Sequence, residues 1–144
     1  MTMELHASAD EVMRAVEAFQ EFARARKIPE STVFGLALAL EECASNIVIH
    51  ALRRDPHQKF QVSLAHNASA ICIELRDPGP EFDPTTAPQK QPVAEDDDLP
   101  GGWGIQLIRQ YVDEIHYQRK GHENVVRLTR RTDSANNSPS SSTA

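Results

Sequence analysis

One stretch limits the folds open to this chain more than any other: Leu38-Ala39-Leu40-Glu41-Glu42-Cys43-Ala44-Ser45-Asn46-Ile47-Val48-Ile49-His50-Ala51. It is an apolar helical run interrupted by two carboxylates, an amide and an imidazole. Residues four apart stack on one helix face, so Glu42, Asn46 and, with a small rotation, His50 form a polar stripe. Val33, Leu36, Ala37, Leu40, Ala44 and Ile47 keep helical spacing on another face, the side expected to meet a core. A helix that only packed would have no use for the polar groups, so the stripe must look toward something else. Glu41 points about 100° away from Glu42 on a helix and reads as a solvated neighbour. His50 reads as a capping or packing residue.

The remaining elements follow in order. Met3–Ala7 alternates and suggests an edge strand. Ser8-Ala9-Asp10-Glu11 has the form of a capping box, in which a hydroxyl and a carboxylate satisfy unpaired amides at a helix start. Val12, Val16, Phe19 and Phe22/Ala23 give that first helix its buried stripe, and Arg24, Arg26 and Lys27 suit its C-terminus. Pro29 fits the first turn of the second helix, which is expected to run to about Arg53. Lys59–His66 and Ala70–Arg76 alternate apolar and polar residues, a hairpin turning at 67–69. Prolines and a glycine break regular structure over Asp77–Pro84. Thr85 to Gly102 has no periodicity and carries the acid run Glu95-Asp96-Asp97-Asp98; a loop this long reads as a lid or a disordered segment. Gly101-Gly102-Trp103-Gly104 opens a third helix, where free backbone amides favour an anion such as phosphate. Glu114–Arg119 and Asn124–Arg130 form a closing hairpin. The division is one domain over 1–132 and a disordered polar tail over 133–144.

At 144 residues with 40% apolar and 25% charged residues, the composition is that of one globular domain. A net charge of −6 argues against direct binding to nucleic acid or an anionic membrane, both of which reward clustered cations. The sequence shows no apolar run near the roughly 20 residues that span a bilayer and no signal-peptide pattern. The expected compartment is the cytoplasm. Cys43 and Cys72 read as buried reduced thiols.

Singly, Glu-x-x-x-Asn, Asp-x-Gly and Gly-Gly-x-Gly are common; their order is informative. Glu42-Cys43-Ala44-Ser45-Asn46, then Asp77-Pro78-Gly79-Pro80, then Gly101-Gly102-Trp103-Gly104-Ile105-Gln106-Leu107-Ile108 resemble the successive nucleotide-binding boxes of the GHKL ATP-binding superfamily. The His50-Ala51 continuation, the run Gly79–Pro84 and the ending Gly121-His122-Glu123-Asn124-Val125-Val126-Arg127-Leu128-Thr129 are similar to anti-sigma-factor serine/threonine kinases of the RsbW type.

The resemblance implies an α+β, two-layer α/β sandwich of the Bergerat type: a mixed, mainly antiparallel sheet with helices on one face. It implies ATP and Mg²⁺ as cofactors. Glu42 would be the general base toward a serine or threonine hydroxyl. Asn46 would ligate the metal, Asp77 would accept a hydrogen bond from the adenine amine, and Gly79 would let the ring approach. Gly102, Trp103, Gly104 and Ile105 would cradle the phosphates beneath the lid. Outside the motifs, Lys90 and Arg109 are the nearest candidates for neutralising phosphate. The implied partners are a small phosphoacceptor antagonist and a sigma factor, and the first strand and helix offer a surface for a homodimer. The alternatives are a nucleotide-gated binding module without kinase activity, and an ATPase or histidine kinase of the same superfamily.

Overall fold

The computed structural model describes residues 1–86 and 104–132. Alternation sets the sheet. β1 (Thr2–His6), β2 (Lys59–His66), β3 (Ala70–Asp77), β4 (Glu114–Lys120) and β5 (Glu123–Arg131) form a five-stranded sheet in the order β1-β2-β3-β5-β4. Every pairing is antiparallel. β3 and β4 do run the same way, but β5 returns between them, so the parallel pair of a mixed sheet does not form among the described residues. Leu64, Ile73, Leu128 and Ile115 lie in one cross-strand row, and Met3, Val62, Leu75, Val126 and Tyr117 in the next. These rows make the face that joins the core. Each fully buried Ile or Leu among them contributes about 1.5–3 kcal/mol relative to exposure.

The helices cover that same face. α1 (Ala9–Ala25) buries Val12, Ala15, Val16, Phe19, Phe22 and Ala23, a stripe at helical spacing. Its start departs slightly from a simple capping box: Ser8 Oγ accepts the Glu11 N–H at 3.3 Å, while Glu11 Oε1 reaches back past Ser8 to the His6 N–H at 3.0 Å. At its end, the N–H groups of Lys27 and Ile28 donate to the carbonyls of Arg24 and Ala23, with Lys27 left-handed at φ 61°. This closure satisfies the last carbonyls and tucks Ile28 into the core.

α2 (Glu30–Asn46) starts directly after Pro29 and packs between α1 and α3 (Gly104–Tyr111). Instead of ending as an ordinary helix near Arg53, it widens into a π-helical turn over Ile47–Ala51. The Leu52 N–H donates to the Ile47 carbonyl at 2.8 Å, and the Arg54 N–H to the Val48 carbonyl at 2.7 Å. Arg53 and Arg54 then leave the helix in left-handed conformations, φ 54° and 60°. Non-glycine residues there cost roughly 1–2 kcal/mol each. Glu30–Ala51 is, contrary to the reading of the sequence, a 22-residue helix long and apolar enough to cross a membrane; 72% of its apolar window lies buried inside this fold. Cys43 is buried as expected, but Cys72 is only half-buried. Period-two alternation with the buried Ile71 and Ile73 turns Cys72 to the opposite, polar face.

Candidate functional site

The polar stripe of α2 and the end of β3 converge on one region. Glu42 sits in the middle of α2 with 1% exposure. Its Oε2 accepts the N–H of Gly104, the first residue of α3, at 3.1 Å. Its Oε1 is buried and accepts no hydrogen bond among the described residues. Burial pushes the Glu42 carboxyl above its ordinary range; the Gly104 N–H and the nearby Asn46 amide offset part of the shift. A buried carboxylate with an idle oxygen is costly for folding alone, which makes a ligand-facing role the better explanation. Asn46, one turn on, is half-exposed and can face both Glu42 and solvent. Ser45 Oγ is likewise buried without a partner.

The second half of the site is built on β3. Asp77 is 3% exposed, and its Oδ1 accepts two hydrogen bonds: from the Gly79 N–H at 2.8 Å and from Asn124 Nδ2 at 3.0 Å. Burial raises the Asp77 pKa, against the opposing pull of Asn124, Gly79 and the Arg119 charge. Gly79 lies so close to the π turn that an added Cβ would meet the Ala51 carbonyl oxygen at 2.6 Å. The backbone approach visible at Gly79 is therefore to Ala51. The His50 ring stacks on Phe82 with centroids 5.8 Å apart, against the loop after β3.

Thus α2 carries Glu42 and Asn46 at one end of the region, and its π continuation touches the Asp77 loop at the other. By helical rise Glu42 and Ala51 are roughly 13 Å apart.

Of the other sequence candidates, Gly104 adopts a left-handed φ of 72° where the chain turns into α3, and Ile105 is half-buried against the core. Arg109 lies in the last turn of α3 and lines an open groove with Val112, Asp113, Glu114, Ile115 and His116, away from Gly104. Glu41 is half-buried rather than solvated, and burial raises its pKa. Gly102, Trp103, Lys90, the Glu95–Asp98 run and the 133–144 tail lie outside the described residues.

Reading the sequence missed Asn124, Arg119 and Tyr117. Asn124, 1% exposed, accepts at Oδ1 from the Tyr117 hydroxyl at 2.7 Å, the Phe82 N–H at 3.1 Å and Arg119 Nη1 at 3.2 Å. Its Nδ2 also donates to the Pro80 carbonyl at 2.9 Å, and Arg119 Nη1 donates to the Gly79 carbonyl at 2.7 Å. Asn124 was visible in the closing motif, but no local signal says that three of its partners, Asp77, Pro80 and Phe82, lie more than forty residues away.

Among the described residues no group of three or more His, Cys, Asp or Glu side chains could hold a metal. Mg²⁺ binds through one or two protein oxygens, phosphates and water, and the Asn46 amide oxygen is a donor of the right kind.

A sequence model described as the histidine kinase-like ATPase domain matches residues 5–130. A Bordetella bronchiseptica protein named serine/threonine-protein kinase BtrW is 29% identical over 130 residues, covering 89% of this chain and 91% of that protein. The crystal structure of the RsbU and RsbW domains of Rv1364c from Mycobacterium tuberculosis superposes with a TM-score of 0.59 at 15% identity. That match covers 91% of this chain but 31% of the larger one, and it speaks to the fold alone.

Proposed function

The chain belongs to the histidine kinase-like ATPase domain family, and we propose that within it the protein is an ATP-dependent serine/threonine kinase and anti-sigma factor of the cytoplasm. It phosphorylates a small antagonist protein and, in its other state, sequesters a sigma factor. The observation that carries this reading is Glu42: a carboxylate with 1% exposure and an idle buried oxygen, one turn from Asn46. The naming of the Bordetella protein as a serine/threonine kinase supports the choice of hydroxyl over histidine as phosphoacceptor.

The residues divide the work. Asp77 reads the base through its carboxylate. Asn46 would hold a Mg²⁺ ion, which would supply charge neutralisation at the phosphates. The amides at the start of α3 lie toward the phosphate end. Glu42 accepts the proton of the attacking hydroxyl as the new oxygen–phosphorus bond forms at the γ-phosphate, and the bond to the bridging β–γ oxygen breaks to release ADP. A pKa raised by burial makes Glu42 a stronger base than a solvated carboxylate. Most of the remaining acceleration comes from positioning and electrostatics.

The test is incubation with γ-labelled ATP and candidate antagonists. Glu42→Gln is expected to retain nucleotide binding while transfer falls by about 10²–10⁴. Undiminished transfer by the variant would overturn the role of Glu42. ATP binding by the unsubstituted protein without transfer to any antagonist would leave a nucleotide-gated binding module instead.

A further inference from the structure

Asn124 stands directly across from Asp77 in the β3–β5 register. The orientation of its amide is fixed by chemistry. The Asp77 carboxylate and the Pro80 carbonyl can only accept, so both must face the NH₂ group; the Phe82 N–H, the Tyr117 hydroxyl and the Arg119 guanidinium supply donors, so they face the oxygen. Every hydrogen-bonding capacity of this buried side chain is thereby used, and a flip would set like against like at four of the five contacts, the Tyr117 hydroxyl alone being able to accept as well as donate.

The consequence falls on Asp77. Oδ1 is engaged by both Asn124 Nδ2 and the Gly79 N–H, while Oδ2 receives neither. Rotating the carboxylate would break two hydrogen bonds. We propose that Asn124 is a positioning residue that sets purine selectivity: by locking Oδ1 it presents Oδ2 as a fixed acceptor, which takes a 6-amino purine and refuses a 6-oxo purine. This rests on the ATP-site reading above and adds the residue that enforces the choice of base. A 6-oxo purine turns an oxygen toward Oδ2, and a site built around a fixed acceptor rejects a ligand that leaves it unpaired.

The test compares affinities for ADP and for inosine diphosphate, which carries oxygen in place of the amine. The unsubstituted protein is expected to prefer ADP by roughly 100-fold, the worth of one charge-assisted hydrogen bond made or lost. In Asn124→Ala and in the near-isosteric Asn124→Asp, ADP affinity falls and the preference shrinks to within about tenfold, with inosine diphosphate affinity held. A residue that merely supported the fold would weaken both nucleotides equally, and that result overturns the proposal. So does an undiminished preference in both variants. Should neither variant fold, the unsubstituted protein still decides: the Asn124 side-chain amide resonances shift on saturation with ADP and hold still with inosine diphosphate, whereas equal shifts overturn the proposal. Failure of the unsubstituted protein to bind either nucleotide overturns the ATP-site reading itself and this inference with it.

Discussion

Gly79→Ala isolates the contact that joins the two halves of the site. The added Cβ would sit 2.6 Å from the Ala51 carbonyl oxygen and 3.0 Å from its carbonyl carbon and Cβ. Two of those neighbours are backbone, so no side chain can swing aside, and the loop must part from the π turn by roughly 0.8 Å to restore ordinary van der Waals separation. Overpacking of this kind costs about 1–3 kcal/mol, offset by about 0.4–1 kcal/mol because alanine restricts the unfolded chain. The net destabilisation is about 1–2 kcal/mol, a fall in Tm of about 3–6 °C for a domain of this size. The displaced loop carries the Gly79 N–H away from Asp77 and the Gly79 carbonyl away from Arg119, so nucleotide affinity is expected to fall about tenfold. Gly121→Ala is the control. Its φ is 64° and an added Cβ meets nothing within 4 Å, so it carries only the conformational penalty of about 1 kcal/mol and leaves nucleotide binding intact. Calorimetric unfolding and titration with ADP measure both. A Gly79→Ala protein with unchanged Tm and unchanged affinity would refute the packing argument.

Glu42 also makes stability depend on pH. Its carboxyl binds a proton more tightly in the native state than in the unfolded chain, so the native state loses stability as pH rises above the ordinary value of 4.5. Glu42→Gln removes that loss; its Tm advantage over the unsubstituted protein is expected to grow between pH 5 and pH 8, with parallel profiles as the contrary result. Asp77 acts with the same sign and remains in both proteins. Alkylation followed by mass spectrometry should modify half-buried Cys72 in the native protein and spare Cys43, which is buried and whose thiol pKa is pushed far up by desolvation; equal labelling would contradict the placement of Cys43.

Local patterns carried much of the fold. Alternation placed β2, β3 and the closing hairpin to within a residue or two, and Ser8 with Glu11 marked the start of α1 because both signals act over a few neighbouring residues. The same alternation implied that Cys72 lies outward between Ile71 and Ile73, although its apolar neighbours suggested burial. The π turn was not legible. It coincides with long-range contacts, Gly79 on Ala51 and Phe82 on His50, which no helical periodicity encodes. Within the site, Glu42 and Asn46 stood out because polar groups interrupt an apolar run. Asn124 did not, since an asparagine at a strand start is common and its meaning comes from Asp77, Pro80 and Phe82 in another segment. The resemblance implied a mixed sheet; the insertion of β5 between β3 and β4, which makes every pairing antiparallel, is a property of the whole topology.

The most direct measurement of the central claim is a crystal structure with Mg²⁺ and a non-hydrolysable ATP analogue. The expected result is adenine with its amine on Asp77 Oδ2, the Asn46 side-chain oxygen at about 2.1 Å from the metal, and the Glu42 carboxylate facing the γ-phosphate side. Nucleotide bound away from α2 and the Asp77 loop, or bound there with Asn46 and Asp77 untouched, would contradict it.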